Sequence, residues 1–166
     1  MSETEGKRSI DQQLFRRVMA QFATGVTIVT ARDREGRNFG ITANSFTSVS
    51  LDPPLALVCV ARRIDFFRVI SEAEHFNINL LAEQQQGLSS RFAMGGIDKF
   101  AGVNFRAGRN GVPVLPDTLG VLECARHEIL PGGDHVIALG RVTHAETGEG
   151  QPLLYFGSQY RQLKQT

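Results

Sequence analysis

Val26-Thr-Ile-Val-Thr-Ala-Arg-Asp-Arg-Glu-Gly-Arg-Asn-Phe-Gly-Ile-Thr-Ala43 carries the clearest fold signal in this chain. Residues 26–30 are almost wholly β-branched and read as a strand. Residues 32–37 form a charged, glycine-containing turn, and residues 39–43 return as the next strand, so the stretch predicts a hairpin. Downstream lies Asn44-Ser-Phe-Thr-Ser-Val-Ser-Leu-Asp-Pro-Pro54, a strand-to-loop passage rich in small hydroxyls. Residues 55–60, Leu-Ala-Leu-Val-Cys-Val, are apolar on both faces and predict a central strand. Upstream, Asp11 is placed to cap a helix reaching about Ala23, with Leu14, Phe15, Val18, Met19 and Phe22 on one stripe and Gly25 as its stop.

Beyond residue 60, residues 65–73 and 83–93 read as two further helices, and residues 75–80 alternate as a strand. Residues 94–118 are glycine-rich and predict a long loop. Residues 119–129 and 135–145 form a second hairpin across Leu130-Pro-Gly-Gly-Asp134, and residues 153–156 make the last firm strand. The strands arrive as hairpins and not as alternating βα units. The expected class is therefore mainly β with flanking helices, an antiparallel barrel in preference to a doubly wound sheet. Residues 1–10 read as a mobile polar tail and residues 11–166 as one domain.

Composition excludes several function classes. The 18 basic and 17 acidic residues leave a net charge of +1, which lacks the basic excess of a nucleic-acid binder. No apolar run approaches the roughly 18–20 residues that span a bilayer, and the polar N-terminus lacks the apolar core of a signal peptide. A cytoplasmic protein without membrane contact is expected. Cys59 and Cys124 sit in apolar runs without a CxxC partner and read as buried free thiols. His75, His127, His135 and His144 show neither helical i, i+4 pairing nor a cysteine partner, so no metal site is expected.

The passage at residues 40–54 offers many N–H and O–H donors with almost no net charge. It suits a planar, hydrogen-bond-rich ligand with an anionic tail, held mainly by main chain; it reads equally as a Ser/Thr-rich turn between strands. No GxGxxG follows a strand and no GxxxxGK[ST] occurs, so a nucleotide would be held without a Rossmann or P-loop site.

Phe22-Ala-Thr-Gly-Val-Thr-Ile-Val-Thr30, followed by Gly40-Ile-Thr-Ala-Asn-Ser-Phe-Thr-Ser-Val-Ser-Leu-Asp-Pro-Pro54, resembles the short-chain flavin reductases. Shorter blocks continue the likeness in order: Phe76-Asn-Ile-Asn-Leu80, Ser89-Ser-Arg-Phe92, Asp98-Lys-Phe-Ala-Gly102, Gly133-Asp-His135 and Pro152-Leu-Leu-Tyr155. The likeness covers residues 11–163. It implies an FMN-binding split barrel and a homodimer that oxidises NADH or NADPH and reduces FMN or FAD. Reduced flavin then passes to a separate oxygenase, as in two-component flavin-dependent monooxygenases. Split barrels also include flavin carriers and redox sensors without fast turnover, which stay open as an alternative. Phe100, Val103 and Phe105 are read as apolar edge for the dimer.

By the same resemblance, Thr42, Ala43, Asn44 and Ser45 line the flavin ring edge, while Ser48, Val49 and Ser50 meet the ribityl chain and ring. Arg62 and Arg63 are placed to meet the phosphate, and Ser89, Arg91 and Phe92 to close over the phosphate or an adenosine. Each arginine also reads as a solvated surface charge. Asp134 and His135 lie on the nicotinamide side, His135 orienting the carboxamide or ribose; from spacing alone it reads as a histidine opening a strand. Tyr155 either packs near the flavin or belongs to the core. Ile64 departs from the family, which often carries a small hydroxyl residue after the basic pair.

Overall fold

Asp11 caps the first helix as expected, its carboxylate accepting the N–H groups of Gln13 and Leu14 at 3.1 and 3.3 Å. The computed structural model describes residues 10–163, so the expected N-terminal tail lies, apart from Ile10, outside the described residues. Helix α1 spans Gln12–Met19 and stops short of Ala23. Beyond Ala20 the N–H groups of Gln21 and Phe22 tighten onto the carbonyls of Val18 and Met19.

The chain continues through β1 (Thr24–Gly25), β2 (Thr27–Arg32), β3 (Asn38–Ala43), β4 (Phe46–Leu51), β5 (Pro54–Ala61), α2 (Phe66–Glu72) and β6 (His75–Leu80). A 3₁₀ turn (Glu83–Gln85) leads into α3 (Gln86–Ala93), then β7 (Arg106–Ala107), β8 (Pro113–Val114), β9 (Gly120–Gly132), β10 (His135–Thr147), β11 (Leu154–Phe156) and β12 (Gln159–Arg161). Both sequence-predicted hairpins and all three predicted helices are present. The passage at 44–54 is not wholly loop, because residues 46–51 form β4.

The main sheet has seven antiparallel strands in the order β3-β2-β6-β9-β10-β5-β4. Its two outermost strands, β3 and β4, are joined by Asn44 and Ser45 alone. Such a short link forces the sheet to curl until its edges approach each other. The result is an antiparallel split barrel with its seam at Asn44 and Ser45. Ser45 continues the ladder beside β5: its carbonyl and hydroxyl both accept the Cys59 N–H, and its hydroxyl donates to the Cys59 carbonyl at 2.9 Å.

Val29, Val58, Val60, Phe76 and Ile78 fill the barrel together with Phe66, Val69 and Ile70 of α2. A second cluster joins Val26, Ile28, Leu81, Phe92, Leu115 and Leu153. The strands buried on both faces are β2 and β6, not β5. One face of β5 (Leu55, Leu57, Cys59) is only half-buried, because β5 stands next to the edge strand. The β9–β10 hairpin is also tighter than expected: Gly132 pairs with His135, leaving Gly133 and Asp134 as a two-residue turn. Gly133 has φ 71°, the positive value that the first position of such a turn requires.

The first helix buries none of its residues. Phe15, Val18 and Phe22 are 53%, 58% and 69% exposed. Conversely, Phe100 and Val103 pack on the second core cluster and provide no free edge; only Phe105 of that trio is exposed. No helix among the described residues is long and apolar enough to cross a membrane.

Both cysteines are free. Cys59 is half-buried, not buried as expected, because it lies on the open face of β5. Burial, reinforced by the Glu123 charge, pushes the Cys124 thiol up to about 12 from an ordinary 9.0. The raised value stabilises the folded state fully below pH 9 and is lost as pH rises toward 12. Cys124 is therefore expected to resist a disulfide-exchange reagent at pH 8 until the chain unfolds. Native labelling at the rate of a free thiol would contradict its burial.

Candidate active site

The seam brings three chain segments together. The first is the Asn44-Ser45 link. The second is the end of β5, where Arg62 and Arg63 leave the sheet. The third is the Gly133-Asp134 turn, with His135 opposite Ala61 of β5. Ser45 lies beside Cys59 on one side of β5 and His135 beside Ala61 on the other, so their backbones are separated by two strand spacings and two residues along the strand, roughly 12 Å.

Arg62 ties the last two segments together. Its backbone N–H donates to the Asp134 carbonyl at 2.9 Å and its Nε donates to the Gly133 carbonyl at 3.2 Å. The guanidinium also lies 5.5 Å from the Phe67 ring centroid. Its terminal nitrogens make no hydrogen bond to any described residue. Arg63 is exposed beside it, while Ile64 turns inward onto the barrel core.

Asp134 and His135 form a pair, with Asp134 Oδ1 2.7 Å from His135 Nδ1. The hydrogen bond and charge of His135, aided by Arg63, hold the Asp134 carboxyl below the usual carboxylate range. An ionised Asp134 keeps a proton on Nδ1 and leaves Nε2 facing outward, an acceptor in the neutral ring and a donor in the protonated one. The rim therefore combines an exposed amide (Asn44), two guanidinium groups and a positioned imidazole, with Asp134 as the carboxylate facing them. This donor set fits a flat, hydrogen-bond-rich ligand with an anionic tail.

Other residues expected at the site hold the frame. The Thr42 hydroxyl donates to the Ser89 carbonyl at 2.6 Å, and the buried Ala43 gives its carbonyl to Thr27. Ser89 and Phe92 are fully buried. The Ser89 hydroxyl is shared with the Tyr160 hydroxyl at 2.8 Å, and Gly40 leaves room for the Phe92 ring, where a Cβ would sit 2.6 Å from it. As placed, neither side chain offers a surface to a ligand. Arg91 donates to the carbonyls of Lys99, Asp98 and Ala101, so it clamps the loop after α3. Tyr155 packs edge-on to Tyr160 at 5.6 Å against the second core cluster.

Ser48, Val49 and Ser50 lie on β4, with a bulge at Val49. Ser48 pairs with Ala56, roughly 20 Å along β5 from Arg62 at about 3.3 Å per residue. They belong to the same edge but not to the cluster around Arg62. Sequence reasoning gave no role to Lys99, whose ammonium donates to the Gly40 and Phe92 carbonyls behind the seam. Burial lowers its pKa, against the opposing pull of Asp65. Nothing in the local sequence marks those two carbonyls as its partners. A cavity of about 510 Å³ opens elsewhere, between the β2–β3 turn and α2, and none of the rim residues lines it.

Residues 19–164 match the model of the flavin reductase like domain. The chain belongs to that family. The reductase subunit HsaB of a flavin-dependent monooxygenase from Rhodococcus jostii (strain RHA1) is 39% identical over 96% of this chain and 85% of its own length. The stachydrine N-demethylase reductase subunit of Rhizobium meliloti (strain 1021) is 46% identical over 80% of this chain. The crystallised NADH:FAD oxidoreductase SgcE6 of Streptomyces globisporus C-1027, in complex with NAD and FAD fragments, superposes with a TM-score of 0.88 at 36% identity, covering 93% of both chains. This chain spans about half the length of the first curated relatives that it matches, 44% and 58% of them. For this flavin reductase family member the split barrel is thus supported by both the strand order and the superposition.

Proposed function

We propose that this chain is an NADH-dependent flavin reductase that takes FMN or FAD at the seam and supplies reduced flavin to a separate monooxygenase. The observation that carries this reading is the convergence of Asn44, Ser45, Arg62, Arg63 and His135 on one rim from three chain segments. Relatives named as NADH:riboflavin 5'-phosphate oxidoreductase and FMN reductase (NADH) favour NADH over NADPH as donor. Relatives named as reductase subunits or components of monooxygenases support the oxygenase partner.

The bound flavin and nicotinamide supply the hydride chemistry themselves. The chain's residues bind and orient. Asn44 and the Ser45 main chain serve the polar edge of the ring. Arg62 and Arg63 are charge-assisted donors for the anionic tail. His135, with Nδ1 held by Asp134, presents Nε2 to the nicotinamide side. Ser48, Val49 and Ser50 extend the groove along β4, and residues 11–166 act as one domain. No proton transfer by a side chain is obligatory for hydride transfer, which suits a rim without a catalytic dyad of carboxylates.

The exposed stripe of α1, together with Val49 and Leu51 on the edge strand, is a surface for a second copy of this chain in a two-fold homodimer. Light scattering at micromolar concentration is expected to give twice the chain mass, and Phe15→Asp with Val18→Asp to give a monomer. A monomeric parent would remove the proposal. A cytoplasmic setting is proposed with it, where NADH is available and the two thiols stay reduced.

Steady-state oxidation of NADH tests the activity directly. The rate is expected to rise with added FMN or FAD, over many turnovers per protein. Protein that stays flavin-loaded and consumes no NADH would make it a flavin carrier instead.

A further inference from the structure

Glu123 is a fully buried carboxylate near the start of β9. Its Oε2 accepts the Asn110 N–H at 3.1 Å, and its Oε1 has no partner at all. Buried carboxylates are ordinarily paired, fully hydrogen-bonded or bound to a metal ion. The loop at Gly108 closes tightly over this one: a Cβ there would lie 2.9 Å from both carboxylate oxygens.

Across the hairpin, a register shift between Val142 and His144 sets His144 directly opposite Glu123. Opposed residues project to the same face of a sheet, and so does the residue two positions on, Glu146. The Thr143 hydroxyl donates to the Glu123 carbonyl at 3.0 Å and fixes the irregularity. One ligand atom from each of Glu123, His144 and Glu146 then lies within 4.8 Å of the others. Arg106 takes Oε2 of Glu146 and leaves Oε1 turned toward His144 Nε2, at 3.2 Å.

We propose that Glu123, His144 and Glu146 form a divalent transition-metal site of the zinc type, separate from the flavin groove. One imidazole and two carboxylates are a borderline nitrogen–oxygen donor set, which suits zinc better than magnesium or calcium. Bonds of about 2.0–2.2 Å in a tetrahedron set ligand atoms about 3.4 Å apart; His144 Nε2 and Glu146 Oε1 already lie 3.2 Å apart, and the Glu123 oxygen would move toward them by up to about 1.4 Å, with water completing the tetrahedron. Arg106 and Asn110 orient the two carboxylates from outside the ligand set. The strand from His135 to His144 runs roughly 30 Å at about 3.3 Å per residue, so the ion would pin the β9–β10 hairpin to the loop over residues 106–110 without touching the flavin.

Untagged, chelator-treated full-length protein provides the test. Zinc is expected to bind with one-to-one stoichiometry by calorimetry and, at about 100 times its Kd, to raise the thermal midpoint by roughly 5–10 °C. Magnesium and calcium are expected to do neither. Cobalt substitution should give the visible absorption of a tetrahedral ion. His144→Ala and Glu146→Gln alter side chains at the accessible margin, so both should fold, retain NADH oxidation and lose the zinc shift and the cobalt spectrum. Absence of zinc binding by the parent, or equal binding by His144→Ala, would overturn the site.

Discussion

Asn44→Leu is expected to weaken flavin binding roughly 5- to 150-fold while leaving the chain folded. Asn44 is exposed in the two-residue link at the seam, so its loss removes nothing from either core cluster. In the proposed bound state the amide would be enclosed between the ligand and the rim. There an unmade hydrogen bond costs about 1–3 kcal/mol, which sets that range at 1.4 kcal/mol per tenfold. Leucine also adds apolar bulk where the ring edge is polar. Arg62→Ala should differ in kind. Its deficit should appear with FMN, shrink as salt rises, and vanish with riboflavin, which has no phosphate. Part of the Arg62 effect will be indirect, because its Nε also holds the Gly133 carbonyl. Titrating the parent and both variants with the two flavins separates these contributions. If Asn44→Leu folds and binds FMN and riboflavin as the parent does, the seam is only a turn.

The hairpins were legible because their signals are local. β-branched runs, a charged turn at 32–37 and the Gly-Asp turn at 133–134 each act over a few residues. The hairpin order already predicts an antiparallel barrel, and the family resemblance specifies the split-barrel type. The physical reason for closure lies in pairing order: β3 and β4 are neighbours in sequence yet opposite edges of the sheet.

Side-chain roles at the site were less legible. Ser89, Arg91 and Phe92 are expected as ligand contacts from the family resemblance. Their hydroxyl, guanidinium and ring are occupied by Tyr160, three loop carbonyls and Gly40. Such partners lie 7 to 71 positions away, and no spacing rule finds them. The cluster of Glu123, His144 and Glu146 was invisible for the same reason. A search for helical i, i+4 pairs cannot detect ligands opposed across two strands and set in place by a bulge. The stripe on α1, in contrast, was legible as an apolar face, yet the helix buries none of it in this chain. Periodicity identifies an apolar face without saying which surface covers it.

His135→Ala is expected to lower kcat/KM for NADH by about 10- to 100-fold, a loss of roughly 1.4–2.7 kcal/mol in transition-state stabilisation, with little change in flavin affinity. The argument rests on position. His135 is separated from Ser45 by β5, so it can reach a second ligand stacked over the first without contacting the polar ring edge at Asn44. Its side chain is 43% exposed, so truncation leaves no cavity in the core. Nδ1 is committed to Asp134, and the free Nε2 is the atom whose loss is measured. His135→Gln retains a polar group near that position and should recover part of the loss. Asp134→Asn should give a smaller defect, because it releases the ring without removing it. Stopped-flow reduction under NADH excess separates affinity from the hydride step: a raised half-saturation concentration assigns His135 to nicotinamide binding, and a lowered limiting rate assigns it to alignment. A wild-type rate and affinity in His135→Ala would place the histidine outside the site and leave Asp134 as no more than the second residue of a hairpin turn.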